Sequence, residues 1–147
     1  MKKILLLLFT ALISAALAIG LQSQFSKTQA QSLPIYVISA QQTPTIANHV
    51  YQAMQSGRPW QLTYIGADND NLNDRNRYHA CKELESPRPT GYQCDEYPFA
   101  STYQGGVGAS AVLVPELENQ TQGGQLSAFY RSNNLRNGSQ FLVGINW

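Results

Sequence analysis

A chain of 147 residues with 13% charged side chains, eight tyrosines and a formal charge of +1 is long enough for one folded domain and too apolar to be intrinsically disordered. That charge balance excludes a strongly basic protein that gathers nucleic acid by net charge alone. Only two cysteines, Cys81 and Cys94, are present, which excludes a disulfide-dense miniprotein.

Lys2 and Lys3 precede an almost unbroken apolar run from Ile4 to Ile19, and a polar stretch then ends in Thr28-Gln29-Ala30. This order predicts an export leader over residues 1–30, cut after Ala30 or alternatively after Ala18. An uncleaved anchor is the other reading, but the run is short for a span and no basic stop follows it. The expectation is a secreted or periplasmic domain over residues 31–147, monomeric and free of the membrane once the leader is removed. Of the ten basic residues, Lys2, Lys3 and Lys27 fall in the leader; the seven that remain face nine acids, a formal charge of −2. In an oxidising compartment Cys81 and Cys94 are expected to pair, closing a loop that contributes about 3 kcal/mol. Zinc ligation by the two cysteines with His79 is the alternative.

Leu33 to Ser39 reads as a strand with Pro34 near its start. Thr43-Pro44 then opens a helix carrying Ile46, Val50 and Met54 at helical spacing, with Gly57 at its end and His49 beside the stripe. Trp60 to Ile65 alternates as a second strand. Gly66 to Asp74 is rich in Asn and Asp and reads as a loop, either solvated or calcium-binding. Arg75, Arg77 and Lys82 follow on a short helix, as phosphate contacts or as a solvated face. Ser86 to Gly91 makes a rigid turn into Cys94. A strand is expected after Pro98 and another over Ala109 to Val114. Glu116 to Gln122 reads as a connecting loop, Gly123 to Asn134 as a helix, and Gln140 to Ile145 as a final strand.

The chemistry concentrates between Cys94 and Tyr130. Asp95 and Glu96 stand side by side at one end, and the acid–amide pair Glu118-Asn119 lies near the other. Carboxylates and amide oxygens are ligands for a hard divalent cation, which beside a base is a standard means of cutting a phosphodiester. The expectation is that Asp95 and Glu118 converge on one Mg2+ or Mn2+ ion. Asp95 would be the base, Glu118 a metal ligand and Asn119 a second ligand or a water-positioner. Glu96 is a further acid, or else a strand residue paired to Arg75 or Arg77. Arg75, Arg77, Gln122, Gln125 and Gln104 are candidate phosphate contacts. Trp60, Tyr92 and Tyr103 are candidate stacking residues, while Tyr97 and Phe99 are assigned to the core. Gly105, Gly106, Gly123 and Gly124 are expected to admit phosphate to the backbone or to let the helix begin.

The run CDEYPFAST, the following QGG, the apolar strand and ENQTQGGQLSAFY resemble the NucA/NucB deoxyribonucleases, a family of exported bacterial nucleases. The resemblance covers about residues 46–145. It implies an α+β fold with a hairpin–helix core of the ββα-metal, His-Me finger-like kind and an antiparallel sheet. It also implies metal-dependent, non-specific endonucleolytic hydrolysis of DNA, with RNA as a further substrate. The family's acids map onto Asp95 with Glu96, and onto Glu118 with Asn119. One departure from the wider ββα-metal class is that no histidine follows Cys81. Either a carboxylate is the base, or His49 or His79 reaches in from elsewhere. The competing readings are a non-catalytic secreted module binding DNA or polysaccharide, and a small disulfide-tied structural or inhibitor domain.

Overall fold

The structure is a computed structural model that describes residues 32–147; the expected leader lies outside them. Strand β1 (Ile35–Ser39) forms where the sequence alternates, with Tyr36 and Ile38 turned into the core and Ile35 and Val37 exposed. It runs parallel to β5 (Gln140–Asn146), which pairs on its other edge antiparallel to β2 (Gln61–Thr63). The class is α+β as expected, and the parallel β1–β5 pair makes this three-stranded sheet mixed.

Helix α1 (Pro44–Gln55) buries Ile46, Ala47, His49, Val50 and Ala53. Gly57 closes it with φ +90, a conformation that favours glycine. Thr43 stands at the N-cap position but gives the helix no side-chain bond; its hydroxyl donates to Ser39 O instead. Helix α2 (Asp70–Cys81) begins inside the stretch that reads as a loop. Asp70 in its first turn complements the positive helix end, and Asp70 and Asp74 lie along a helix rather than around a cation loop.

Strands β3 (Tyr92–Tyr97) and β4 (Ser110–Pro115) form an antiparallel hairpin, with Asp95 opposite Val112 and Glu96 opposite Ala111. The first of these strands lies before Pro98, not after it, because proline cannot donate to the ladder and ends it there. Helix α3 (Glu116–Ser132) follows directly. The expected loop Glu116–Gln122 is its first turns, with Pro115 as the N-cap residue and Glu116 and Glu118 at the positive end. The order strand, strand, helix is therefore the hairpin–helix unit the resemblance implies.

Helices α1 and α3 pack against β1 and the hairpin. The core between them includes Ile38, Val50, Leu62, Tyr97, Phe99, Val114, Leu126 and Phe141, which places Tyr97 and Phe99 as expected. Asn76 of α2 donates to Ala100 O at 2.9 Å and Thr102 O at 3.1 Å, tying that helix to the turn after β3. Gly105 and Gly106 serve this packing rather than phosphate. A Cβ on Gly105 would sit 2.4 Å from Phe99 O, and one on Gly106 would sit 2.7 Å from Asn76 Oδ1.

Cys81 at the end of α2 and Cys94 in β3 are joined in a disulfide, their Cα atoms 5.9 Å apart. The pairing removes both sulfurs as zinc ligands. Reduction is predicted to lower stability by roughly 3 kcal/mol, a fall in melting temperature on the order of 10 °C. A thermal melt with and without reductant checks this, and equal melting would contradict it.

Candidate active site

A cleft of about 570 Å3 opens between α2, the start of the hairpin, and one face of α3. β3 brings Gln93, Asp95 and Glu96 to it; α3 brings Asn119, Gln122 and Gly123; α2 brings Arg77. These are the sites at which oxygen ligands and a cation meet in a concave surface, the usual setting for binding or catalysis.

Asp95 is only 3% exposed and reaches the cleft by its edge. His49 Nδ1 lies 2.5 Å from Asp95 Oδ2, and His49 Nε2 lies 3.0 Å from Ser110 Oγ. The carboxylate can only accept, so Nδ1–H is assigned as the donor. His49 does not line the cleft; it stands behind the acid and fixes one of its oxygens, leaving the other without a hydrogen bond among the described residues. Burial, and then the charge of Asp95, push the Tyr36 phenol well above its ordinary range. Its hydroxyl donates to Gln122 O at 3.3 Å and so links β1 to α3 beside the acid.

Asn119 Nδ2 donates to Gln93 Oε1 at 3.0 Å and Cys94 O at 3.3 Å. Both bonds use the amide nitrogen, which leaves Asn119 Oδ1 without a partner among the described residues. One turn further along α3, Gln122 is buried and its Nε2 has no hydrogen-bond partner among the described residues. A buried amide without a partner costs about 1–3 kcal/mol, and here it is left open to a partner from the cleft. Gly123 also lines the cleft, and apart from its neighbours and its own helix backbone no atom of the described residues lies within 4 Å of where its Cβ would be.

The oxygen-rich set of Asp95, Glu96, Asn119 and Gln122 suits a hard cation such as Mg2+ or Mn2+, which binds few protein atoms and keeps several waters. Among the described residues, the one close trio of cysteine and acid atoms is Cys81, Cys94 and Glu96, and its sulfurs are consumed by the disulfide.

Glu118 does not line this cleft, whereas the expectation had it converge with Asp95 on one ion. Its Oε2 accepts from Thr45 N at 2.8 Å and Ile46 N at 3.4 Å, and its Oε1 from the Thr45 hydroxyl at 2.9 Å. The carboxylate thus caps α1, whose first N–H groups Thr43 leaves open. Arg75 is exposed and does not line the cleft. Gln125 bonds Gln42, and Gln104 bonds Thr63, so neither is placed to meet a phosphate there. Trp60, Tyr92 and Tyr103 are exposed away from the cleft. Gly124 lies inside α3 rather than at its start. His79 is exposed on α2 and packs against Tyr78. His49 is the residue that sequence reasoning placed only beside the apolar stripe; its spacing from Ile46 and Ala53 signals a buried polar group in need of a partner.

Burial pushes the Glu96 carboxyl up to about 7, and Asp95 adds to the effect; the Ala100 N–H and Arg77 oppose it. Cys81 Sγ approaches Glu96 Oε2 at 3.6 Å as a packing contact, having no proton to share.

Two predictions follow from these placements. Glu118→Ala removes a cap and is expected to cost about 1–2 kcal/mol, read as a lower melting temperature with the cleft residues unchanged. Parental melting would contradict the capping role. Glu96 binds its proton more tightly folded than unfolded, so its contribution to stability is complete below about pH 4.5 and is lost as pH rises through about 7. In chelator, Glu96→Gln should therefore flatten the fall in stability across that interval; a parental pH dependence of melting would contradict this.

A profile of the deoxyribonuclease NucA/NucB family matches residues 50–144. No curated protein matches the chain. The matched span holds the whole hairpin–helix unit, with Asp95, Glu96, Asn119 and Gln122, and begins one residue after His49. It covers well over half of the sequence, so the chain belongs to the NucA/NucB deoxyribonuclease family and is a nuclease whose substrate is DNA.

Proposed function

We propose that the protein is an exported, divalent-metal-dependent endonuclease that hydrolyses DNA without sequence preference, with Asp95 as its general base. The observation that carries the reading is the buried Asp95–His49 pair at the edge of a cleft that also holds an amide oxygen and an amide nitrogen without partners among the described residues. A surface that merely binds a polymer has no need of an acid held in this way.

Asn119 Oδ1 is the group that would hold the cation, beside Asp95 and on the same face of β3 as Gln93, with waters completing its shell. A bound Mg2+ or Mn2+ supplies Lewis acidity to the phosphoryl group and lowers the pKa of a bound water. His49 holds Oδ2 of Asp95, and Ser110 steadies the far side of the imidazole. The second carboxylate oxygen is then oriented to take the proton of the water that attacks phosphorus, as the bond to the leaving oxygen breaks. Gln122 Nε2 donates to a non-bridging phosphoryl oxygen, and Arg77 places a cation at the same wall. Gly123 leaves room for the strand to approach the helix.

Export is supported by the leader-like N-terminus and by the Cys81–Cys94 disulfide, a bond that persists in oxidising compartments. Among the described residues no helix is long and apolar enough to cross a membrane.

The test is plasmid nicking with Mg2+ or Mn2+, with and without chelator. Asp95→Asn is expected to lower kcat by roughly 10²–10⁴, and His49→Gln to lower it on the order of tenfold at little changed KM. Chelator should abolish cutting. Parental rates in Asp95→Asn would remove the base assignment, and cutting in excess chelator would remove the metal.

A further inference from the structure

We propose that Arg131 and Arg136 form a second subsite, which holds a backbone phosphate of the DNA strand next to the phosphodiester in the Asp95 cleft. The proposal deepens the nuclease reading above and rests on it.

A smaller cavity of about 280 Å3 adjoins the cleft. Tyr64, Ala67 and Tyr130 line both hollows, so the two adjoin along these residues. The Tyr64 and Tyr130 rings are stacked at 4.0 Å along that boundary. Arg131 and Arg136 line the smaller cavity. Arg131 Nη1 donates to Ser127 Oγ at 2.7 Å, and Ser127 lines the larger one. The guanidinium is therefore anchored at the seam with most of its five donors unused.

Neither arginine has a carboxylate within 4.0 Å among the described residues, where the ion pairs are His49–Asp95, Lys82–Glu83 and Arg88–Glu85. Asp70, Glu85, Asp95 and Glu96 line the larger hollow together with Arg77 and Arg88, whereas among the described residues the smaller one is lined by two arginines and no acid. The smaller hollow is therefore the purely cationic end, towards which a polyanion leaving the cleft would run. Net charge offers the strand no general attraction, because residues 32–147 carry seven basic and nine acidic side chains. Local cations in line with the cleft must then supply the phosphate contacts, and planar guanidinium groups suit phosphate.

The experiment measures binding of a fluorescent 20-nucleotide DNA strand by anisotropy over a range of KCl. The full chain is used with Asp95→Asn, so that the strand stays intact. Adding Arg131→Gln and Arg136→Gln should weaken binding and reduce the slope of log K against log salt by roughly 0.7 for each lost phosphate contact. The Lys variants at both positions should keep most of the slope. Both side chains are exposed, and a thermal melt verifies the fold. In an active background, the Gln pair should raise KM for DNA while leaving hydrolysis of bis(p-nitrophenyl) phosphate, too small to span both hollows, at the parental rate. An unchanged salt slope and an unchanged KM would overturn the subsite. If the parent cuts neither substrate while the arginines still govern binding, the nuclease reading falls and the subsite stands.

Discussion

The hydrogen bond between His49 and Asp95 is the constraint on which the site depends. An acid buried to this degree is costly unless its oxygens are paired. Only a donor from another element meets that need, because the β3–β4 ladder occupies the strand's own backbone groups. His49 supplies it from α1, so the orientation of that helix decides whether Asp95 is tolerated and where its second oxygen goes. Glu118 enters here. By holding the N-terminus of α1 against α3, it fixes the helix that carries His49, and it influences the site from outside the cleft.

Three further tethers act on the same short piece of β3. The disulfide at Cys94 holds it to α2, and Asn119 donates to Gln93 and Cys94 O from α3. The Ala100 N–H meets the Glu96 carboxylate from the turn beyond. A strand with two neighbouring acids has poor intrinsic preference for its conformation. These bonds, with the apolar β4 beside it, hold it in place and set its two faces. One meets α1 through Asp95; the other meets α2 through Cys94.

The sequence was informative where a single period ran without interruption. The alternation at Tyr36 and Ile38 and the stripe through Ile46, Val50 and Met54 gave β1 and α1, and the cysteine pair and the hairpin–helix order were also legible. The start of α3 was not. Its buried face runs Gln122, Leu126, Tyr130, and the first of these is an amide that faces the cleft, so the apolar pattern begins a turn late. Asp95 and Asn119 could be singled out by type. Glu118, the same kind of residue beside Asn119, projects from a different face of the helix, and only the three-dimensional turn of α3 separates a cap from a cleft ligand. Likewise, nothing in the order of residues says that His49 meets Asp95 across 46 positions.

The most direct measurement is the nitrogen-15 NMR spectrum of the His49 imidazole in the folded protein at neutral pH. The account predicts a protonated Nδ1 whose proton is shifted strongly downfield by the carboxylate, and loss of that shift in Asp95→Asn. An Nδ1 that carries no proton, or a shift indifferent to residue 95, would contradict it.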